Sequence, residues 1–384
     1  MLDHPRLESR FTPEHRELRQ AAARYFDAHK LSEWVGGPGG FLQKSQWREF
    51  GKLGFLGLSL PREVGGRGLG LLGALIVNQT LARIGDLGLS LGMHCQNEIT
   101  AHWLATAQHE DLREKYLPEM LAGRLVGCAC DTEADATSGS TAVRDGDQLV
   151  VNARKLYVVN GHNADLCFVT VRLDGEMATV LLEKDRPGVR VTKVFDKLGT
   201  RSIDSAALEF HDVRVPIGNV ALKRGVRQLM HWNKVMTTAR FLMCADAYFL
   251  HGILLEDIAS YGKERVVDGK ALARWPINRH ALAQAAADHE LMKAGLIDRY
   301  EKLAGKRNAV ADVAALKWFC VERTAEFAAL CAEMHGGAGY MHDSEFLIAY
   351  AQVRGLKMAG GSSTTMQAIA DQAFAYQEEI DAVA

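Results

Sequence analysis

The spacing of apolar residues changes twice along the chain. From about Thr12 to Gly123 apolar side chains recur every three or four residues, the period of a helix with one buried face. The stretch PEHRELRQAAARYFDAHK (13–30) predicts one such helix. Thr12 is placed to cap it, and Pro13 suits the first position, where a missing N–H leaves no bond unmade. WREFGKLGFLGLSLPREVGG (47–66) predicts a second helix that ends in a Gly/Pro loop. LLGALIVNQTLARIGD (71–86) predicts a third, and NEITAHWLATAQHEDLREKYLPEMLAG (97–123) two or three more. Near Arg124 the texture changes to short β-rich runs: LVGCACD, QLVVNARKLYVVNG, LCFVTVR, ATVLLEK, VRVTKVF and AALEFHDVRVP. Turn residues such as RDGD and RPG separate them, and together they predict a β-barrel or sandwich of roughly 100 residues. From about Arg224 the helical period returns and holds to the end. VMTTARFLMCADAYFLHGILLEDIASYGKER (235–265) is apolar on more than one face, so it predicts a helix buried inside a bundle. Two or three more long helices follow. The expected class is α+β, in three domains: 1–123 helical, 124–223 β, 224–384 helical.

Composition narrows the function. A chain of 384 residues suits two or three packed units. Its 45 basic and 47 acidic residues nearly balance, and no basic block interleaves with aromatics, so nucleic acid is not an expected partner. The opening MLDHPRLESRF has no basic-then-apolar leader, and no run of about 18 uncharged apolar residues occurs, so neither a secretory signal nor a membrane span is expected. Seven scattered cysteines form no CxxC pair; Cys128 and Cys130 are too close for one. No metal centre is expected, and the thiols read as reduced and buried in a cytoplasmic protein.

Five motifs then carry a resemblance. DLREKYLPEMLAG (111–123), RDGDQLVVNARKLYVVNGHNADLCFV (144–169), DKLGTRSIDSAALEFHDVRVP (196–216), YGKER (261–265) and MHGGAGY (334–340) resemble, in order and spacing, signatures of the acyl-CoA dehydrogenase superfamily. The resemblance covers nearly the whole chain. It implies an N-terminal helical domain, a middle β-barrel and a C-terminal four-helix bundle. It also implies FAD between barrel and bundle, and a homodimer or homotetramer, with a heteromer with a related subunit as an alternative. In such enzymes a glutamate removes the α-proton of an acyl thioester while a β-hydride passes to the flavin. The α-C–H is weakly acidic, so the chemistry needs a polarised carbonyl and a base held in a dry pocket.

The chain departs from the pattern at the base. Where the family reads Y-E-G-T-S, this sequence reads Ala359-Gly360-Gly361-Ser362-Ser363, and the glutamate position falls on Gly360. Some members carry the base just before an arginine on the first bundle helix; here those residues are Ala239 and Arg240. Loss of a positioned base costs roughly 10²–10⁴-fold in rate. As substitutes the resemblance offers His94, since a histidine can serve as a base near neutral pH, and Asp131 beside the flavin edge. Each also has an ordinary structural reading, as does Gly-Gly as a helix C-cap. The resemblance places cofactor contacts at Ala129, Asp131, Thr132, Tyr157, Val159, Arg265, Glu333, Gly337, Ser362 and Thr364. Tyr157 stands for the usual tryptophan beside the flavin, and Val159 for a hydroxyl residue. Arg265 matches an arginine that pairs with the pyrophosphate of a neighbouring subunit's FAD. Substrate contacts are expected at Cys95, Gln96, Ser138 and Arg240, in a lining too polar for a fatty-acyl tunnel.

Three functions remain open on this reading. The first is a flavin-dependent oxidoreductase acting on an acyl thioester of CoA or a carrier protein, with a non-standard or absent base. The second is a flavin monooxygenase of the same fold, which does not need that base. The third is a redox-silent subunit or a non-redox enzyme that reuses the fold.

Overall fold

The computed structural model describes residues 1–35, 40–134, 139–222 and 224–381. Helices α1 (Pro5–Glu8), α2 (Pro13–Ala28), α3 (Lys44–Lys52) and α4 (Gly70–Ala82) open the chain. Thr12 caps α2: its side chain accepts the His15 amide, and His15 Nδ1 accepts the Thr12 amide at 3.2 Å. This is a capping box with histidine in place of the usual acid. The second helix is shorter than the sequence pattern predicts. It ends at Lys52 because Gly54 and Gly57 take φ of 70° and 66°, outside the helical region. Next come α5 (Leu87–Met93), α6 (Ala101–Ala105) and α7 (Glu110–Leu121), with His94–Thr100 joining α5 to α6 as a π-helical segment. Sequence periodicity does not signal that segment, and its wider turn re-aims the side chains it carries.

Seven strands follow: β1 (Gly127–Cys130), β2 (Thr141–Asp145), β3 (Gln148–Val159), β4 (Leu166–Leu173), β5 (Glu176–Glu183), β6 (Val189–Val194) and β7 (Ser205–Pro216). Six of them match the β-rich runs. β2 escapes the sequence reading because four of its five residues are exposed. β4 pairs in parallel with β1, Cys128 opposite Cys167, and through its last residues with the start of β2, and it is antiparallel to β5. β3 lies antiparallel between β2 and β7, and β6 closes the path against β7. The sheet curls, barrel-like, over a core that includes Leu149, Val151, Val169, Val180, Leu208 and Val213, all buried.

The chain ends in α8 (Val226–Glu264), a small hairpin of β8 (Val266–Val267) and β9 (Lys270–Ala271), then α9 (Pro276–Ala304), α10 (Val310–Met334), α11 (Glu345–Met358) and α12 (Ser363–Asp381). Among the described residues no helix is long and apolar enough to cross a membrane. α8 is the axis of the molecule. Phe241 and Leu242 join a core with Leu75 of α4, Leu296 of α9 and Val321 of α10. Ala239 joins another with Trp103 of α6, Phe168 of β4 and Leu181 of β5. All three parts of the chain therefore meet on the middle of α8. This explains why its sequence is apolar all round: it has no solvent face there.

Candidate functional site

Two buried polar clusters sit on that middle stretch of α8. The first surrounds His94. Its Nε2 lies 2.8 Å from Oδ2 of Asp246, and the amide nitrogen of Asn78 is 3.4 Å from the same atom. His94 is 2% exposed and Asp246 is fully buried. The π-helical segment brings His94, Gln96, Asn97 and Glu98 inward. Gln96 donates to the carbonyls of Met120 and Leu125 and accepts the Gly127 amide, so it ties α7 to β1. Asn97 accepts from the Gly57 amide and donates to the Phe55 carbonyl. Glu98 accepts from Ser59 at 2.7 Å. Burial alone would push the Glu98 carboxyl up, but hydrogen bonds from His102 and Ser59 hold it below its ordinary value. The cavity left between Leu58, Ala74, Val77, Asn78 and His94 measures about 10 Å³.

The second cluster surrounds the loop Ala359–Gly361. Arg240, 2% exposed, donates from Nε to the Gly360 carbonyl at 2.7 Å. Lys317 of α10, fully buried, donates from Nζ to the carbonyls of Ala359 and Gly361, each at 2.6 Å. Three successive carbonyls are thus held by two cations. Burial pushes the Lys317 ammonium down to about 8 and the Arg240 guanidinium down to about 10. Nη1 of Arg240 has no hydrogen-bond partner. Gly360 adopts φ 65°, and a Cβ placed on it would lie 3.2 Å from Sδ of Met243 and 3.5 Å from Cγ of Arg240. A side chain at 360 would therefore point to the α8 face that carries Arg240.

Asp131 joins this cluster from the sheet side. Its Oδ1 accepts the Thr170 hydroxyl and its Oδ2 the Trp232 indole N–H at 2.9 Å, while the Arg240 guanidinium lies 5.7 Å from the Trp232 ring centre. Burial raises the Asp131 carboxyl above its ordinary value, against the pull of those two bonds. Just beyond it, the buried Lys155 ammonium is paired with Glu133 at 2.7 Å and also donates to the Thr170 carbonyl.

The residues proposed from the sequence fall into distinct places. Asp131, Ala239, Arg240, Gly360 and Ser362 come together. Ser362 caps α12 by accepting the Thr365 amide, and Thr364 is exposed on the first turn of α12. Ala129 lies on β1 and Thr132 just past it, exposed. Tyr157 takes φ 55°, packs tilted by 31° against Phe195 with ring centres 4.8 Å apart and leaves 62% of its surface exposed, an aromatic face with no cover. Val159 faces the core near Cys95, whose sulfur donates to the Gly127 and Val159 carbonyls. Burial pushes the Cys95 thiol up to about 12, so it is no nucleophile at neutral pH. Two of the substrate contacts expected from the sequence are thus taken up by the fold: Gln96 has no polar atom to spare, and Cys95 is sealed. Ser138 lies outside the described residues. Arg265, Glu333 and Gly337 sit elsewhere, at the far end of α8, where Tyr261 meets His335 edge-on at 4.3 Å. Along a helix rising about 1.5 Å per residue, Arg265 is roughly 37 Å from Arg240.

Three residues that build these clusters were missed. Lys317 stands alone in the apolar row VAALKWFC, and Asp246 in MCADAYF. A lone charge inside an apolar helix is the signal that could have found both. Trp232 carries no comparable signal. One group among the described residues has the arrangement of a metal-ligand set: the sulfurs of Cys128, Cys130 and Cys167 lie within 4.8 Å of one another in the sheet core. Burial pushes the Cys130 thiol well up, which keeps it protonated and disfavours ligation.

Comparison with known proteins agrees with this architecture. Family models of the acyl-CoA dehydrogenase N-terminal, middle and C-terminal domains match residues 12–124, 130–213 and 223–374. The mitochondrial long-chain specific acyl-CoA dehydrogenase of Mus musculus is 26% identical over 93% of this chain and 85% of its own. The mitochondrial isovaleryl-CoA dehydrogenase of Pongo abelii is 25% identical over 94% and 88%. The crystal structure of an acyl-CoA dehydrogenase from Geobacillus kaustophilus has the same fold, with a TM-score of 0.87 over 95% of this chain and 99% of that one, at 24% identity. The chain belongs to the acyl-CoA dehydrogenase superfamily, whose members bind FAD.

Proposed function

We propose that this protein is an FAD-dependent oxidoreductase acting on an acyl thioester of CoA or a carrier protein, with a short or polar acyl group. The observation that carries the acyl preference is the His94–Asp246 pair. In the family resemblance His94 belongs to the helix that lines the acyl channel. Here that space is filled by His94, Asp246 and Asn78, and the remaining cavity of about 10 Å³ has room for about one water molecule and none for an alkyl chain.

The residues present fit the cofactor. Tyr157 offers an uncovered aromatic face at the edge of the curled sheet, suited to cover by a flat ring. Ala129, Thr132, Tyr157, Ser362 and Thr364 would hold the flavin end. Arg265 lies too far along α8 to reach the same molecule, and Glu333 at the end of α10 and Gly337 just past it lie at that same end, which supports their serving the FAD of a neighbouring subunit. When bound, FAD supplies a two-electron acceptor for the hydride lost from the substrate. The chain's own part is to hold the Ala359–Gly361 loop rigid through Lys317 and Arg240, and to keep the site dry through the packing around Ala239. No carboxylate stands at Gly360 or Ala239, so the α-proton would pass to Asp131, held by Trp232 beside Arg240. That absence favours a second reading, a redox-silent subunit.

One experiment separates them. Protein reconstituted with FAD is mixed anaerobically with short acyl-CoA thioesters while the flavin absorbance is followed. Bleaching by a thioester is the expected result. Failure to bind FAD in excess, or bound flavin unchanged by any thioester, contradicts the proposal and leaves the redox-silent reading.

A further inference from the structure

Arg240 and Lys317 hold charge that the fold does not balance. Neither makes an ion pair with a carboxylate among the described residues; their partners are the carbonyls of residues 359–361. The nearby acids are committed elsewhere. Asp131 is bound by Thr170 and Trp232, and Glu322 of α10 by Lys357 and Ser363. After burial, the charge of Arg240 is a further cause that holds the Lys317 ammonium down, so the two cations feel one another. Taking an unpaired charge out of water costs several kcal/mol, and carbonyl dipoles offset only part of that. A nine-tenths-buried guanidinium with an empty Nη1 is the mark of a missing anion. The direction of the Gly360 Cβ shows where a carboxylate on this chain would sit, beside Arg240 and Met243. The chain places none there.

We propose that Arg240, with Lys317 behind it, forms a subsite for a carboxylate carried by the acyl group of the substrate, in the space that a side chain at residue 360 would fill. This rests on the acyl-thioester reading and deepens it: the substrate class is a dicarboxylic acyl thioester. The loop supports the assignment in two ways. Glycine at 360 sets no side chain of its own against the face of α8 that carries Arg240 and Met243. The N-terminus of α12 begins at Ser363, two residues past the Lys317-bound carbonyls, and its dipole adds positive potential at the same loop.

Calorimetric titration of the FAD-loaded protein tests it with pairs of equal carbon number, succinyl-CoA against butyryl-CoA and glutaryl-CoA against pentanoyl-CoA. The carboxylate-bearing member is expected to bind about tenfold tighter or more, which is about 1.4 kcal/mol. Arg240→Met should bring each pair within about twofold, and Arg240→Lys should keep part of the preference. Equal binding of both members by the unmodified protein overturns the subsite and leaves the acyl-thioester reading standing. If no thioester binds, that reading fails, and thermal unfolding with acetate or malonate decides for the subsite alone. Stabilisation that Arg240→Met abolishes keeps it, with a free anion as its ligand; no stabilisation overturns it.

Discussion

Six positions along α8 separate the two buried polar clusters, and they are built in opposite ways. At Asp246 the chain supplies both an acid and its basic partner, His94, and packs them until about 10 Å³ remains. At Arg240 it supplies two cations and no acid. The first arrangement pairs an acid with a base from within the chain and acts as a wall, with only Asp246 Oδ1 left without a partner. The second is completed only by something from outside. Buried charge therefore does not by itself mark a functional site; buried charge whose counter-charge is missing does.

The largest effect expected from breaking this contrast is kinetic. Gly360→Glu puts a carboxylate on the chain beside Arg240 and should raise oxidation of plain acyl thioesters by roughly 10²–10⁴-fold. It should also erase any preference for carboxylate-bearing ones, since both anions compete for one guanidinium. Gly360→Ala is the control: it adds the strain of φ 65°, about 1 kcal/mol, without the charge, and gives no gain in rate. Stopped-flow reduction of bound flavin reads both.

At the other cluster the effect is on stability. Asp246→Leu leaves His94 buried without its partner and should cost about 3–5 kcal/mol in denaturant unfolding, whereas the double change His94→Leu with Asp246→Leu should recover most of it. A double variant no better than the single would show that the pair is not self-contained.

A third test uses pH. Lys317 titrates near 8 when folded, below its ordinary 10.5. Between those values the unfolded chain holds a proton that the folded chain has released, so stability rises with pH across that window, by on the order of 3 kcal/mol at its upper end. Lys317→Met should remove this rise. Unfolding midpoints measured from pH 8 to 10 on both proteins check it.

The smallest effect is a null. All seven cysteines are buried and free, so Ellman's reagent should find no rapid thiol in the native protein and all seven after unfolding.

Periodicity made the three-part order of helix, sheet and helix legible, because long amphipathic and β-rich runs report burial directly. The π-helical turn at His94–Thr100 was not legible, since nothing in HCQNEIT distinguishes it from an α-turn. The absence of a carboxylate at Gly360 and Ala239 could be read from the sequence alone. Its consequence could not, because the groups around the gap come from three helices and a strand. His94 met its partner 152 residues away, which turned a candidate base into one half of a packed pair. Gln96 could not be told from a substrate contact until the backbone groups of Met120, Leu125 and Gly127 were in place around it.

The most direct test of the central claim is anaerobic titration of the FAD-loaded protein with succinyl-CoA and butyryl-CoA, read by flavin absorbance. The account predicts that an acyl thioester bleaches the flavin, the carboxylate-bearing one at the lower concentration. A flavin spectrum that neither thioester alters would contradict it.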